Sequence, residues 1–120
     1  MSESPKTYPD AGDGSLAPAL TMDSGGLITE WTEAAEAIFG WDRADAIGRK
    51  LSTLIIPERY RSMHEAGLKR FIGGGPGTVL NRAIEIAAID RDGHEFTIEV
   101  HIMPHQTADG FRFATSVRKL

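Results

Sequence analysis

The chain contains no cysteine. That excludes disulfides, cysteine-ligated metal sites and thiol chemistry, flavin–thiol photochemistry included. It also fits a reducing cytoplasm. No apolar run approaches the ~20 residues that a membrane span needs. The opening MSESPKTYPDAGDGS has neither the basic nor the apolar region of a signal peptide. Charge of one sign is nowhere concentrated: 13 Lys and Arg are mixed with 17 Asp and Glu, for a formal net charge of −4. Without a basic block or aromatic–basic interleaving, nucleic acid is not an expected partner. No internal repeat is present. No nucleophile–base pairing stands out, and the glycines of GGGPG are not followed by Gly-Lys-Ser/Thr, so neither an enzyme nor a phosphate cradle is expected. His94, His101 and His105 lack the spacing of a metal triad, and His101 shares the outward face of its strand with Glu99.

What is there fits one small domain: 120 residues, 41% hydrophobic and 25% charged. The Ser, Pro, Gly and Asp of residues 1–15 read as a flexible N-terminal tail, which leaves 16–120 for the domain. LAPALTMDSGGLITEW reads as a hairpin, with Leu20 and Met22 alternating, DSGG turning the chain and LITEW resuming the strand. The period then changes. Ala34, Ala35, Ile38 and Phe39 stand at helical spacing between Thr32, placed to cap, and Gly40, placed to stop. DRADAIG repeats that arrangement between Asp42 and Gly48. LSTLIIP reads as an apolar connector ending at Pro57, a good first residue for the next helix. That helix carries Tyr60, Met63, His64, Gly67, Leu68, Phe71 and Ile72 on one stripe, and GGGPG ends it.

Three strands follow. LNRAIEIAAID alternates Ile84, Ile86 and Ala88 against Glu85, and EFTIEVHIM places Phe96, Ile98, Val100 and Ile102 on one face. After TADG, FRFATSVRKL puts Phe111 and Phe113 on one side. Two strands, several short helices and three strands point to an α+β class, an antiparallel sheet with helices on one face.

MDSGGLITEWTEAAEAIFGW, AIGRKLSTLIIPERYRSMH and DRDGHEFTIEVHI together resemble the PAS domain family in their order and spacing. The resemblance covers residues 16–120. It implies a five-stranded antiparallel sheet, with short helices and one longer helix packed on one face around a small-molecule pocket. It also implies a role in sensing and signalling rather than catalysis. A homodimer, and an effector domain or partner protein outside this chain, are expected with it; SVRKL resembles the place where PAS domains hand over to a signalling helix.

Within PERYRSMHEAGLKRF the resemblance narrows to the heme-carrying FixL-type and Dos-type sensors. Their Arg-x-x-His step on the long helix, here Arg61 to His64, supplies the proximal iron ligand. The arginine that FixL-type sensors use for a heme propionate falls on Arg70. The residue chemistry agrees. A neutral imidazole is a good axial ligand. Gly67, one turn on, removes bulk where a flat macrocycle would lie, and Arg70 is placed to reach a carboxylate at the rim. Leu68, Val79, Leu80, Ile84, Ile86, Val100, Ile102 and Phe113 are expected to supply an apolar envelope. The distal side departs from the pattern. The FixL-type distal arginine falls on Ile84, while Arg82, two residues earlier, matches the methionine-ligand position of Dos-type sensors and becomes the candidate distal group. The glycine-rich loop leaves that register open by one residue, and one residue inverts the face.

Two functions follow from these readings. One is a cytoplasmic sensor binding heme b through His64 and responding to a diatomic gas or redox state. The other is a non-heme interaction and dimerisation module whose pocket is packed with side chains or holds a small apolar metabolite. A flavin reading ranks below both, because the cysteine of the photochemical subset is missing.

Overall fold

The computed structural model describes residues 17–75 and 80–120. The expected tail at 1–15 lies outside them. The chain runs β1 (Leu20–Asp23), β2 (Ile28–Trp31), α1 (Glu33–Phe39), α2 (Arg43–Ala46), α3 (Leu51–Ile55), α4 (Glu58–Ile72), β3 (Ala83–Ile89), β4 (Glu95–Thr107) and β5 (Gly110–Lys119). The strands form one antiparallel sheet in the order β2-β1-β5-β4-β3. The α+β, five-stranded expectation holds.

Two hairpin turns are made by the same local chemistry. Asp23 Oδ1 accepts the backbone N–H groups of Gly25 (2.9 Å) and Leu27 (3.0 Å). Asp90 Oδ1 accepts those of Asp92 (3.0 Å) and His94 (2.9 Å). In both, glycine three residues after the aspartate takes the left-handed conformation, φ +82° at Gly26 and +85° at Gly93, which a side chain would oppose.

The helices lie on one face of the sheet. Thr32 caps α1, its Oγ1 accepting from Ala35 N (3.4 Å) while donating to Ala19 O (2.8 Å). Gly40 ends that helix at φ +80°. Phe39 is fully buried between Trp31 and Phe96, with ring centroids 5.7 and 6.1 Å away. Leu20, Ile28, Leu54, Ile98 and Phe113 complete the centre of the core.

Three features depart from the sequence reading. LSTLIIP is not a plain connector: Leu51–Ile55 is helical, with Leu51, Leu54 and Ile55 buried. One turn is too short to show a period. β4 continues past Met103 through Pro104 to Thr107. Ile102 O accepts from Asn81 N on the β3 side, so by alternation Pro104 turns its nitrogen to that side. Pairing with β3 ends at His101 among the described residues, and no ladder bond is lost there. The third departure is α4, where no residue is fully buried. Tyr60, Met63 and Ile72, expected on its inward stripe, are 39%, 65% and 38% exposed.

Candidate functional site

The stripe of α4 faces a hollow instead of packed side chains. Between α4 and the inner face of the sheet lies a cavity of about 570 Å³, within the usual range for small-molecule sites, roughly 300–1,000 Å³. Strand alternation makes its floor: Ile84 and Ile86 from β3, Val100 and Ile102 from β4, Phe113, Thr115 and Val117 from β5, Leu20 and Met22 from β1. Leu51 and Ile55 of α3, with Ile56, close one side. The opposite end carries an aromatic cluster, in which Phe71 meets Phe111 at 5.1 Å and Phe113 at 5.8 Å between centroids.

The first half of α4 is bolted down by polar groups. Arg61 Nε donates to the carbonyls of Ser52 (3.0 Å) and Ile56 (2.9 Å), and Nη2 to that of Thr53 (3.3 Å). The guanidinium thus satisfies carbonyls at the end of α3, which a helix leaves unpaired. One turn on, Glu65 accepts from Ser52 Oγ at 2.6 Å and from Lys50 Nζ at 3.4 Å. These bonds, led by that from Ser52, hold its carboxyl below the usual range. Arg59 pairs with Glu95 at the start of β4.

His64 stands on this anchored helix with its ring at the cavity wall. Burial pushes its pKa below the ordinary value, opposed by the nearby Glu65 carboxylate, so the neutral ring is favoured. Its Nδ1 is buried without a hydrogen-bond partner among the described residues. A buried polar atom left so costs about 1–3 kcal/mol, which the fold has no evident reason to bear. Gly67, one turn on, opens the wall beside it. A Cβ built there would meet nothing closer than Arg70 Nη2, at 4.0 Å. Arg70 is itself exposed yet lines the cavity, with its guanidinium folded back over Gly67 at the rim.

Of the residues expected at the site, the structure gathers His64, Gly67, Leu68, Arg70, Ile84, Val100 and Ile102 around one cavity, with Leu80, Ile86 and Phe113. Arg82, the candidate distal group, is exposed and is not among the residues that line the cavity. Ile84 takes the inward place, and the pleat at Arg82 precedes the strand proper, next to Asn81 at φ +61°. Val79 lies outside the described residues. A pocket packed solid with side chains is not what the structure shows. Tyr60, Thr115, Val117 and the α3 residues were not anticipated as lining. Alternation from Phe111 and Phe113 through Thr115 to Val117 was the available signal for β5.

A sheet roofed by helices over a half-open apolar hollow is an architecture with room for a small molecule. The chain belongs to the PAS family: the model of the PAS fold matches residues 13–115. PAS domains are sensory modules of signalling proteins. The sensor protein FixL of Bradyrhizobium diazoefficiens is 28% identical over 114 residues, 95% of this chain and 21% of that protein. An uncharacterised protein of Azorhizobium caulinodans is 33% identical over 108 residues, 90% of this chain and 15% of the relative. The chain therefore spans only 15% and 21% of the length of these two relatives. Among solved structures, the PAS domain of the quorum-sensing receptor RpfR from Cronobacter turicensis, in complex with C12:0, superimposes with a TM-score of 0.65 at 15% identity. That match covers 87% of this chain and 93% of the other. No helix among the described residues is long and apolar enough to cross a membrane.

Proposed function

We propose that this PAS domain is a cytoplasmic sensor that binds heme b in the cavity, with His64 as the iron ligand. The observation that carries the reading is the His64 imidazole: at the cavity wall, favoured neutral by burial, with its buried Nδ1 unpaired. A neutral ring whose Nδ1 has no hydrogen-bond partner among the described residues is free to turn toward a metal. Gly67 leaves room for a flat macrocycle, and Arg70 at the rim suits a propionate, as a charge-assisted pair half in water. The likeness to FixL lends support. Heme would supply the gas- or redox-responsive centre. The chain's part is to hold it dry, neutralise one carboxylate and pass the bias through the sheet to a second copy or an effector outside these residues.

A hemin titration of the purified protein, followed in the visible spectrum, tests this. A sharp Soret band in the wild type that is lost in His64→Ala supports the reading. The same broad free-hemin spectrum in both refutes it.

One observation favours a second reading. The cavity is walled mainly by aliphatic and aromatic groups with a cation at its rim, the arrangement an acyl chain with a terminal carboxylate would use, and the RpfR neighbour was solved with C12:0. Displacement of a fluorescent fatty acid by dodecanoate, weakened by Arg70→Gln but indifferent to His64→Ala, would favour that ligand class over heme.

A further inference from the structure

The helix wall of the cavity carries Tyr60, His64 and Arg70. The sheet wall, among the described residues, carries one polar side chain, Thr115. It stands on β5 between Leu20 of β1 and Ile102 of β4, and on its own strand between the inward Phe113 and Val117. Every one of these neighbours is apolar. The residue is 8% exposed, so its side chain is largely withdrawn from bulk water at the cavity wall. Valine has nearly the same shape and would pack there without a polar atom to satisfy. Apolar packing on this wall therefore does not itself call for a hydroxyl.

The backbone beneath the hydroxyl is held on both sides. Thr115 is in register with Leu20 and Ile102, and its carbonyl accepts Ala19 N at 2.7 Å. A hydroxyl on a strand paired at both edges is preorganised in a way that one on a loop is not. We propose that Thr115 Oγ1 is the discriminating polar contact of the sensor, which would donate a hydrogen bond to a gas ligand taken up in the cavity. This rests on the heme reading. It takes over the role expected of Arg82, which the structure leaves outside the cavity. The chemistry favours a ligand that becomes polarised and accepts a hydrogen bond, such as dioxygen, over one that accepts poorly, such as carbon monoxide.

The test uses the full chain reconstituted with hemin and reduced, comparing wild type, Thr115→Val and Thr115→Ser. Dioxygen and carbon monoxide dissociation rates are measured in each, with urea denaturation of the apo forms. In Thr115→Val, dioxygen release is expected to quicken about 3- to 10-fold, the range that one lost hydrogen bond gives. Carbon monoxide release should change less than twofold by the same argument, since it makes little use of that bond. Thr115→Ser should keep the wild-type ratio. An unchanged ratio in Thr115→Val, with the His64-dependent Soret band intact, overturns the role of Thr115 and leaves heme standing. A lower urea midpoint or a lost Soret band in Thr115→Val shows a structural role and overturns it too. Absence of a His64-dependent Soret band in the wild type removes the heme reading, and this inference with it.

Discussion

Replacing Gly67 by alanine separates what the helix wants from what the cavity wants. Gly67 sits in the middle of α4 with helical backbone, and the only atom near a Cβ added to it is the flexible end of Arg70, at 4.0 Å. The substitution is therefore free of strain. Glycine in a helix interior is less favourable than alanine by about 1 kcal/mol, mostly through the freedom it retains when unfolded. Gly67→Ala should make the apo protein more stable by up to roughly 1 kcal/mol, a rise in Tm of about 4 °C in a domain of this size. The same methyl stands where a flat ligand would lie against α4. Overpacking by one methyl costs about 1–3 kcal/mol, so hemin should bind roughly 5- to 140-fold more weakly. Urea and thermal denaturation of the apo protein measure the first effect, and hemin titration the second. If the variant is less stable than wild type, α4 does not face a hollow at this position. If it is more stable and binds hemin unchanged, the glycine is not kept for the ligand. Only gain in one and loss in the other agrees with the geometry.

Two further substitutions probe the same helix. Burial lowers the His64 pKa below its ordinary 6.5, so on acidification the unfolded chain takes up the proton first. The stability tied to the neutral ring is complete above about pH 6.5 and is lost as pH falls from there through the folded pKa. Urea midpoints between pH 7.5 and 5 should therefore fall more steeply in wild type than in His64→Leu; parallel curves would show that the ring is not desolvated. Arg61→Met keeps the aliphatic stem but removes the donors to the carbonyls of Ser52, Thr53 and Ile56. It should cost about 1–3 kcal/mol in urea denaturation. A change below about 0.5 kcal/mol would mean that water replaces the guanidinium at the end of α3.

The parts of the fold legible in advance were those written in short-range chemistry. Asp23 with Gly26 and Asp90 with Gly93 announce their turns, because an aspartate oxygen two residues from a free N–H makes the turn whatever surrounds it. Thr32 and Gly40 bound α1 for the same reason. The single turn of α3 and the reach of β4 past Pro104 depend on tertiary packing and on where a neighbouring strand stops, and neither is local. Arg61 was visible as part of a motif. Its hold on the end of α3 was not, since that helix was itself unread.

The cavity illustrates a deeper limit. An apolar stripe at helical spacing says which face of α4 avoids water, not whether that face meets side chains or a hollow. Tyr60, His64, Gly67, Leu68 and Phe71 satisfy the period equally in either case. The distinguishing mark is volume. A stripe that places glycine one turn from an imidazole brings too little carbon to fill the space under a helix, and close packing tolerates few voids. An interior that nonetheless keeps about 570 Å³ open, with a neutral ring on one wall and a lone hydroxyl on the other, gives up dispersion energy that packed aliphatics would supply. A bound molecule recovers that energy. The stability of this domain should therefore depend on ligand concentration more strongly than that of a domain of equal size with a filled core.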